Sequence, residues 1–227
     1  MKWMNKLEFK YRRYAIKNLI FYIIAFNALI FVLDFVVPRG VSLDVLVLYP
    51  RLVLQGEVWR LVTYIFLPPS SSPIWIIFIL YFYYLVGTGL EQAWGAFRFN
   101  VYYILGMIGT TIAAFITGAG YTGVYLNLSL FFAFAHLFPD FQILLFFILP
   151  IKVKYLAWLN WILLGVTVFT MPLPHKLAVV AAVLNYLVFF GPDIYRNIRL
   201  RRRVQLNRKK FFSEVRKGQR NARRRDD

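Results

Sequence analysis

The sequence predicts an all-α protein embedded in a lipid bilayer. Of its 227 residues, 60% are hydrophobic, and the mean hydropathy of +0.59 is too high for a soluble domain of this size. Several apolar runs approach the roughly 20 residues that a helix needs to span a bilayer. These runs are continuous rather than alternating, which favours helices over the strands of a barrel. A polytopic bundle of helices is therefore the expected fold.

Six apolar runs are separated by polar or proline-containing breaks. Their approximate bounds are 18–37, 74–90, 101–117, 121–138, 155–170 and 176–190. Residues 38–73 form one long loop, in which apolar side chains recur at helical spacing over 58–66, so an amphipathic helix or hairpin in the outer leaflet is predicted. Residues 141–154 are expected to return along the membrane interface. The pair Gly191-Pro192 is expected to end the sixth helix.

Two of the runs contain residues that predict contacts between helices. Asn27 in the first run is expected to face the bundle, because an amide is costly in lipid. The third run carries a stripe of small residues, which lets another helix approach closely. The stripe consists of Gly106, Gly109, Ala113 and Ala114.

The net charge of +17 must lie in the ends and loops of such a protein. Residues 1–17 carry six Lys or Arg against Glu8, which predicts an interfacial segment on anionic lipid, with a disordered basic end as the alternative. Residues 193–227 carry fourteen Lys or Arg and four acids, a balance of +10. This tail is interpreted as a basic helix on anionic lipid; RNA contact and simple topology anchoring are the alternatives. The predicted units are 1–17, 18–192 and 193–227.

The charge distribution also predicts an orientation. Six spans place both termini on one side, and Arg98, Lys152 and Lys154 fall on that side too, so the positive-inside rule makes it the cytoplasm. Arg39, Arg51 and Arg60 remain in the outer loop as a counter-signal. The absence of cysteine and of an evident transit or signal peptide favours a bacterial inner membrane.

Three sequence blocks, in order, resemble the rhomboid superfamily. The first is the element Trp59-Arg60 in the long loop, and the third is Leu137-Phe138-Pro139 followed by residues 147–156. Between them, residues 87–99 read Gly-x-x-Leu-Glu-x-x-Trp-Gly-x-x-Arg-Phe, similar to the corner between the second and third rhomboid helices. The resemblance covers residues 16–192 and implies a six-helix rhomboid-like bundle with a membrane-disturbing first loop braced by Trp59 and Arg60. The motif residues of the corner are Glu91, Trp94, Gly95 and Arg98.

Active rhomboids carry a serine in a Gly-x-Ser-Gly element of the fourth helix and a histidine in the sixth. Here the fourth run lacks that element and places Val124, or a neighbour, at the nucleophile position. The sixth run offers Asn185 as its polar group and no histidine. The weak catalytic candidates are Ser129, His136 and His175.

Helical rise keeps these candidates apart. Ser129 and His136 are about 10 Å apart along one helix, and Ser129 lies roughly 12 Å below the surface near which His175 is expected.

The preferred hypothesis is a catalytically inactive, derlin-like member of the rhomboid group that binds transmembrane helices of client proteins where its first loop thins the bilayer. Asn127, Ser129 and Asn185 are the candidate polar contacts for a client. An active intramembrane serine protease with a displaced dyad and a lipid-handling protein are the alternatives. No His/carboxylate cluster or phosphate loop is evident, so neither metal nor cofactor is expected. The expected partners are anionic lipid and transmembrane clients rather than nucleic acid.

Overall fold

The computed structural model describes residues 2–37, 42–70, 72–145 and 149–226. Helices make up 79% of the structure, which confirms the helical fold expected from composition. The helices are α1 (Lys2–Tyr11), α2 (Leu19–Val36), α3 (Pro50–Leu54), α4 (Arg60–Thr63), α5 (Pro73–Trp94), α6 (Ala96–Thr117), α7 (Val124–Leu137), α8 (Val153–Thr170) and α9 (Leu173–Asp226). Among the described residues, five segments are long and apolar enough to cross a membrane: α2, α5, α6, α8 and the part of α9 over Leu173–Pro192.

The short helix α7 forms the centre of the bundle. It packs against α5, α6 and α8, and nine of its 14 residues are buried. At 1.5 Å per residue it is about 21 Å long, less than the roughly 30 Å of a bilayer's hydrocarbon core. The predicted span of 121–138 is too long because Tyr121 pairs its backbone with Leu48, through two N–H···O=C bonds of 3.0 and 3.1 Å.

Small residues set the distances between helices, as the stripe on α6 predicted. A methyl group added at Gly106 would overlap the side chain of Leu126 on α7 and come within 2.8 Å of Asn185 Nδ2 on α9. A methyl group at Gly87 on α5 would overlap Ile20 on α2. Close packing of this kind is a principal source of helix association in lipid, because an apolar side chain gains no hydrophobic free energy by exchanging lipid for protein.

The first loop contains several short elements in place of the single amphipathic helix or hairpin predicted. Helices α3 and α4 are followed by a 3₁₀ turn at Tyr64–Phe66. The side chain of Asn27 is 1% exposed, which confirms the prediction that it faces the bundle. Its Nδ2 donates to the carbonyls of Ile23, at 2.8 Å, and of Ile65, at 3.2 Å, so it attaches the loop to α2. Arg39 and residues 147–148 of the third sequence block lie outside the described residues.

Residues after α7 form a short β-hairpin, a local exception in a structure that is otherwise compatible with the all-α prediction. Strands β1 (Gln142–Leu145) and β2 (Leu149–Lys152) are antiparallel, with Gln142 opposite Lys152. Isoleucine and leucine dominate both strands and favour extended backbone only when a partner strand supplies hydrogen bonds. Pro150 lacks an N–H and lies opposite Leu144, a position that a two-stranded ribbon tolerates because both strands are edges.

The last helix continues through Gly191 and Pro192 to Asp226, so the predicted stop at this pair is wrong. Proline removes one helical hydrogen bond, but the residues beyond it are mainly Arg, Leu, Lys and Gln, which are strong helix formers. The chain divides into two compact units, Met1–Leu187 and Val188–Asp227. The first contains the membrane bundle, and the second is a helix rich in Arg and Lys.

Candidate functional site

Ser129 lies at the centre of a buried polar cluster that joins α6, α7 and α9. Its side chain is fully buried, and its Oγ accepts a hydrogen bond from Asn185 Nδ2 at 3.0 Å. The Tyr102 hydroxyl donates to the Ser129 carbonyl at 2.9 Å and lies 2.8 Å from Ser129 Oγ. Since each hydroxyl has one proton, the serine hydroxyl then donates to the tyrosine oxygen. Every proton in this assignment has an acceptor.

The side-chain oxygen of Asn185, unlike its amide nitrogen, has no hydrogen-bond partner among the described residues. This oxygen, Oδ1, is buried. The same holds for Asn100 Oδ1 and the Tyr103 hydroxyl, both on α6. Buried acceptors without donors are unfavourable, so the interior of the bundle retains capacity to accept hydrogen bonds. Asn127, also buried, lies two residues from Ser129 and therefore on the opposite side of α7.

Both histidines pair with tyrosines. His136 Nδ1 lies 2.9 Å from the Tyr186 hydroxyl, and His175 Nδ1 lies 3.1 Å from the Tyr125 hydroxyl. The partners of the Ser129 hydroxyl are Tyr102 and Asn185. The structure therefore brings Ser129 and Asn185 together, whereas the two imidazoles bond to tyrosine hydroxyls. Sequence reasoning missed Tyr102, because a tyrosine in an aromatic helix carries no distinguishing pattern.

Arg60 forms a second polar centre, in the first loop. Its side chain is 5% exposed, and its Nε lies 2.6 Å from Glu57 Oε2. Its Nη1 donates to the backbone carbonyls of Asp44 and, at 2.8 Å, Val47. Trp59 is half-exposed. Arg60 thus supplies three of the contacts that hold this loop together, with Glu57 three residues before it as the unpredicted partner.

The corner between α5 and α6 receives the N-terminal segment. Glu91 Oε1 accepts a hydrogen bond from the backbone N–H of Asn18 at 2.7 Å, and Arg98 Nε lies 2.8 Å from Glu8 Oε2. Gly95 adopts φ +82°, a conformation that favours glycine. The Trp94 ring lies 5.3 Å from that of Tyr102, so the corner also supports the Ser129 cluster.

The segment after α7 is anchored by Pro139 and Asp140. The Pro139 carbonyl accepts the backbone N–H of Lys154 at 3.1 Å. Asp140 lies 2.8 Å from Lys154 Nζ and 3.2 Å from Lys152 Nζ. Hydrogen bonds from Lys154 and Lys152 hold the pKa of the Asp140 carboxyl below its ordinary value. These groups are exposed, so they close the hairpin without forming a buried site.

Long apolar helices around a short central helix define an integral membrane protein. Its interior carries hydroxyl and amide groups rather than a cluster of metal ligands: no group of three or more His, Cys, Asp or Glu is suited to hold a metal among the residues described. No family model matches the chain, and no curated protein matches it.

Proposed function

We propose that this chain is a rhomboid-like membrane protein without protease activity that binds transmembrane helices of other proteins. The observation that carries the proposal is the hydrogen bonding of Ser129. Its hydroxyl is held by a tyrosine and an amide, and neither group is the general base that a serine nucleophile requires. The three rhomboid-like sequence blocks supply the family part of the proposal.

The placement of α7 supports a six-helix rhomboid-like bundle within this proposal. Tyr125 and His136, near its two ends, contact His175 and Tyr186 of α9. Both pairs are 50 residues apart, so the two helices run parallel. Counting α7 as a short span beside the five longer ones, we infer six passes. An even number of passes and basic residues at both ends support cytoplasmic termini in a bacterial inner membrane.

Two features favour client binding by local thinning of the bilayer. The central helix is about 9 Å shorter than the hydrocarbon core, and the first loop exposes Leu54, Val58 and Val62. A helix whose length does not match a thinned bilayer is less stable there. The free-energy cost of moving a client helix with polar residues from lipid to protein is therefore smaller at this place. Asn185 Oδ1 is an acceptor inside the bundle for a donor on such a client. Asn127 and Ser129 are the other proposed polar contacts.

Activity-based labelling tests the absence of protease activity. The full chain is reconstituted in liposomes and treated with a fluorophosphonate, alongside Ser129→Ala. We expect the same background signal from both proteins, because the Ser129 hydroxyl bonds to Tyr102 and Asn185 and not to an imidazole among the described residues. Labelling of the wild-type chain that disappears in Ser129→Ala overturns the proposal in favour of an active serine protease.

Binding of defined helices tests the client hypothesis. The chain contains no cysteine, so a single engineered cysteine can carry a donor fluorophore. Energy transfer is measured to an acceptor-labelled transmembrane peptide, which is either all leucine or the same peptide with one central asparagine. We expect preference for the asparagine peptide, reduced in Asn185→Ala and in a Leu54/Val58/Val62→Ser variant. Asn160→Ala on α8 is the matched control, since the Asn160 amide donates to the Leu156 carbonyl of its own helix. Equal transfer to both peptides rejects the hypothesis.

A further inference from the structure

A cavity of about 400 Å³ lies where the N-terminal segment meets the α5–α6 corner. This volume is within the range of small-molecule sites. Its lining combines acidic, basic and amide groups from three parts of the chain. They include Glu8, Arg12, Lys17, Asn18, Glu91 and Gln92, and we name this space the headgroup cavity.

The carboxylate of Glu91 is only half satisfied at this cavity. Its Oε1 accepts the Asn18 N–H, whereas its Oε2 is buried and has no partner among the described residues. Glu8 differs, because its Oε2 is already paired with Arg98. A buried carboxylate oxygen without a donor is unfavourable. A ligand that brings a cationic N–H group relieves this deficit.

The same cavity also contains two cations suited to an anionic group. Arg12 and Lys17 belong to its lining, and neither forms a salt bridge with a carboxylate of the described residues. Arginine and lysine bind phosphate through charge-assisted hydrogen bonds. One free carboxylate oxygen beside two cations matches a zwitterion, with an ammonium at one end and a phosphate at the other.

A second, apolar cavity of about 300 Å³ lies next to the first along α5. Thr88 and Gln92 line both spaces, so the two are adjacent on one face of this helix. The groove extends along α5 from Gln92 to Tyr81, which is about 17 Å at the helical rise and close to the ~15 Å depth of one leaflet's hydrocarbon. Its apolar lining is Tyr81, Tyr84, Leu85, Phe134, Phe138 and Phe141, and we name it the acyl groove.

We propose that the headgroup cavity and the acyl groove together bind one glycerophospholipid whose headgroup carries a primary amine, of the phosphoethanolamine class. The ammonium pairs with the Glu91 carboxylate, the phosphate accepts from Arg12 and Lys17, and one acyl chain lies against the aromatic residues of the groove. A choline headgroup has no N–H to donate, and a glycerol headgroup has no positive charge. The site is independent of client binding, since it uses other residues.

Native mass spectrometry of the delipidated full chain tests this site by competition. The probes are dioleoyl phosphatidylethanolamine, the matching choline and glycerol lipids, and soluble glycerophosphoethanolamine. We expect the ethanolamine lipid to bind about tenfold more tightly than the choline lipid, which corresponds to loss of one charge-assisted hydrogen bond. The soluble headgroup is expected to compete weakly, because it lacks the chain that fills the groove.

Two variants separate the headgroup from the chain. Glu91→Gln keeps an acceptor for Asn18 but removes the charge, and we expect it to abolish the preference for ethanolamine over choline. Leu85→Trp fills the groove, and we expect it to weaken both lipids alike. Asp140→Asn removes an exposed carboxylate outside the headgroup cavity and should leave the lipid preference unchanged; a cooperative melting transition confirms that each variant folds.

Several results overturn the proposal. Equal binding of ethanolamine and choline lipids in the wild-type chain shows that Glu91 does not select the headgroup. Preference for the glycerol lipid shows that the site recognises only the phosphate, through its two cations. Competition by soluble glycerophosphoethanolamine as strong as that of the lipid removes the acyl groove. A folded Glu91→Gln protein that still discriminates the two lipids contradicts the assigned ammonium contact.

Discussion

The first loop and the interior of the bundle each contain a buried polar centre, and the two are built differently. In the loop, one charged side chain, Arg60, donates to a carboxylate and to two backbone carbonyls. In the bundle, the neutral side chains of Ser129, Tyr102 and Asn185 bond to one another and to the backbone carbonyls of Ser129 and Tyr102. The difference follows from the backbone. Carbonyls of an irregular loop have few backbone partners and need side-chain donors, whereas carbonyls inside a helix are already bonded to backbone N–H groups and accept a side chain as a second donor.

The comparison shows where charge is useful in a membrane protein. A buried guanidinium is tolerated where several fixed acceptors surround it, and it then specifies an irregular loop. Neutral groups inside the bundle avoid the larger desolvation of a charge and contribute chiefly to the register between helices. Removal of the charged centre should therefore destabilise the fold more than removal of a neutral one.

The largest effect is expected from Arg60→Ala. This change removes a donor from Glu57 and from the carbonyls of Asp44 and Val47. Breaking a buried ion pair costs about 3–5 kcal/mol, and we expect the lower end of that range because Glu57 is 32% exposed. Reversible unfolding in mixed micelles measures the loss. Arg51→Ala is the control, since Arg51 is exposed in the same loop. A loss no greater than that of Arg51→Ala means that the loop does not depend on this charge.

A smaller effect, about 1–3 kcal/mol, is expected from Gly106→Ala, because overpacking forces helices apart. The added methyl group overlaps Leu126 and crowds the amide of Asn185. Gly109→Ala on the same helix is the matched control, since its methyl group would lie 3.7 Å from Ala181 Cβ, an ordinary contact. Similar melting temperatures for the two variants contradict the proposed close approach at Gly106.

Removal of the neutral hydrogen bonds should have a milder effect still. Ser129→Ala is expected to lower the free energy of unfolding by about 0.6 kcal/mol, the average for hydrogen bonds between helices in lipid, and by no more than about 1.7 kcal/mol. A double-mutant cycle with Asn185→Ala should give a coupling energy of the same order, because the two side chains bond directly. Additive losses in the cycle show that the pair contributes nothing beyond its separate packing.

The smallest effect concerns Asp140, whose charge is fully exposed to water. Lys154 and Lys152 lower its pKa from the ordinary 3.8, so the ionised form stabilises the hairpin. This contribution is present above pH 3.8 and is lost as the pH falls through the lowered pKa. Melting curves of the wild type and Asp140→Asn should differ slightly at neutral pH and converge in acid. A difference that grows on acidification contradicts the assigned ion pairs.

The corner between α5 and α6 shows how far motif reasoning reached. Glu91, Gly95 and Arg98 stand out in the sequence because charge and glycine interrupt two apolar runs. Their partners do not stand out: Asn18 and Glu8 lie 73 and 90 residues earlier in the chain. No local pattern encodes a contact over such a separation, so the cavity beside Glu91 becomes visible only in the folded chain.

Composition and apolar run length alone determined that the protein is helical and membrane-embedded, because both follow from transfer of residues between water and lipid. They also located the small residues of α6 and the inward direction of Asn27. Tertiary structure decided what depends on distant partners: the short α7, limited by the pairing of Tyr121 with Leu48, and the hairpin at 142–152. It also placed Ser129 beside Tyr102 and Asn185. Such features depend on contacts between residues that are far apart in the chain, and no local sequence pattern specifies those contacts.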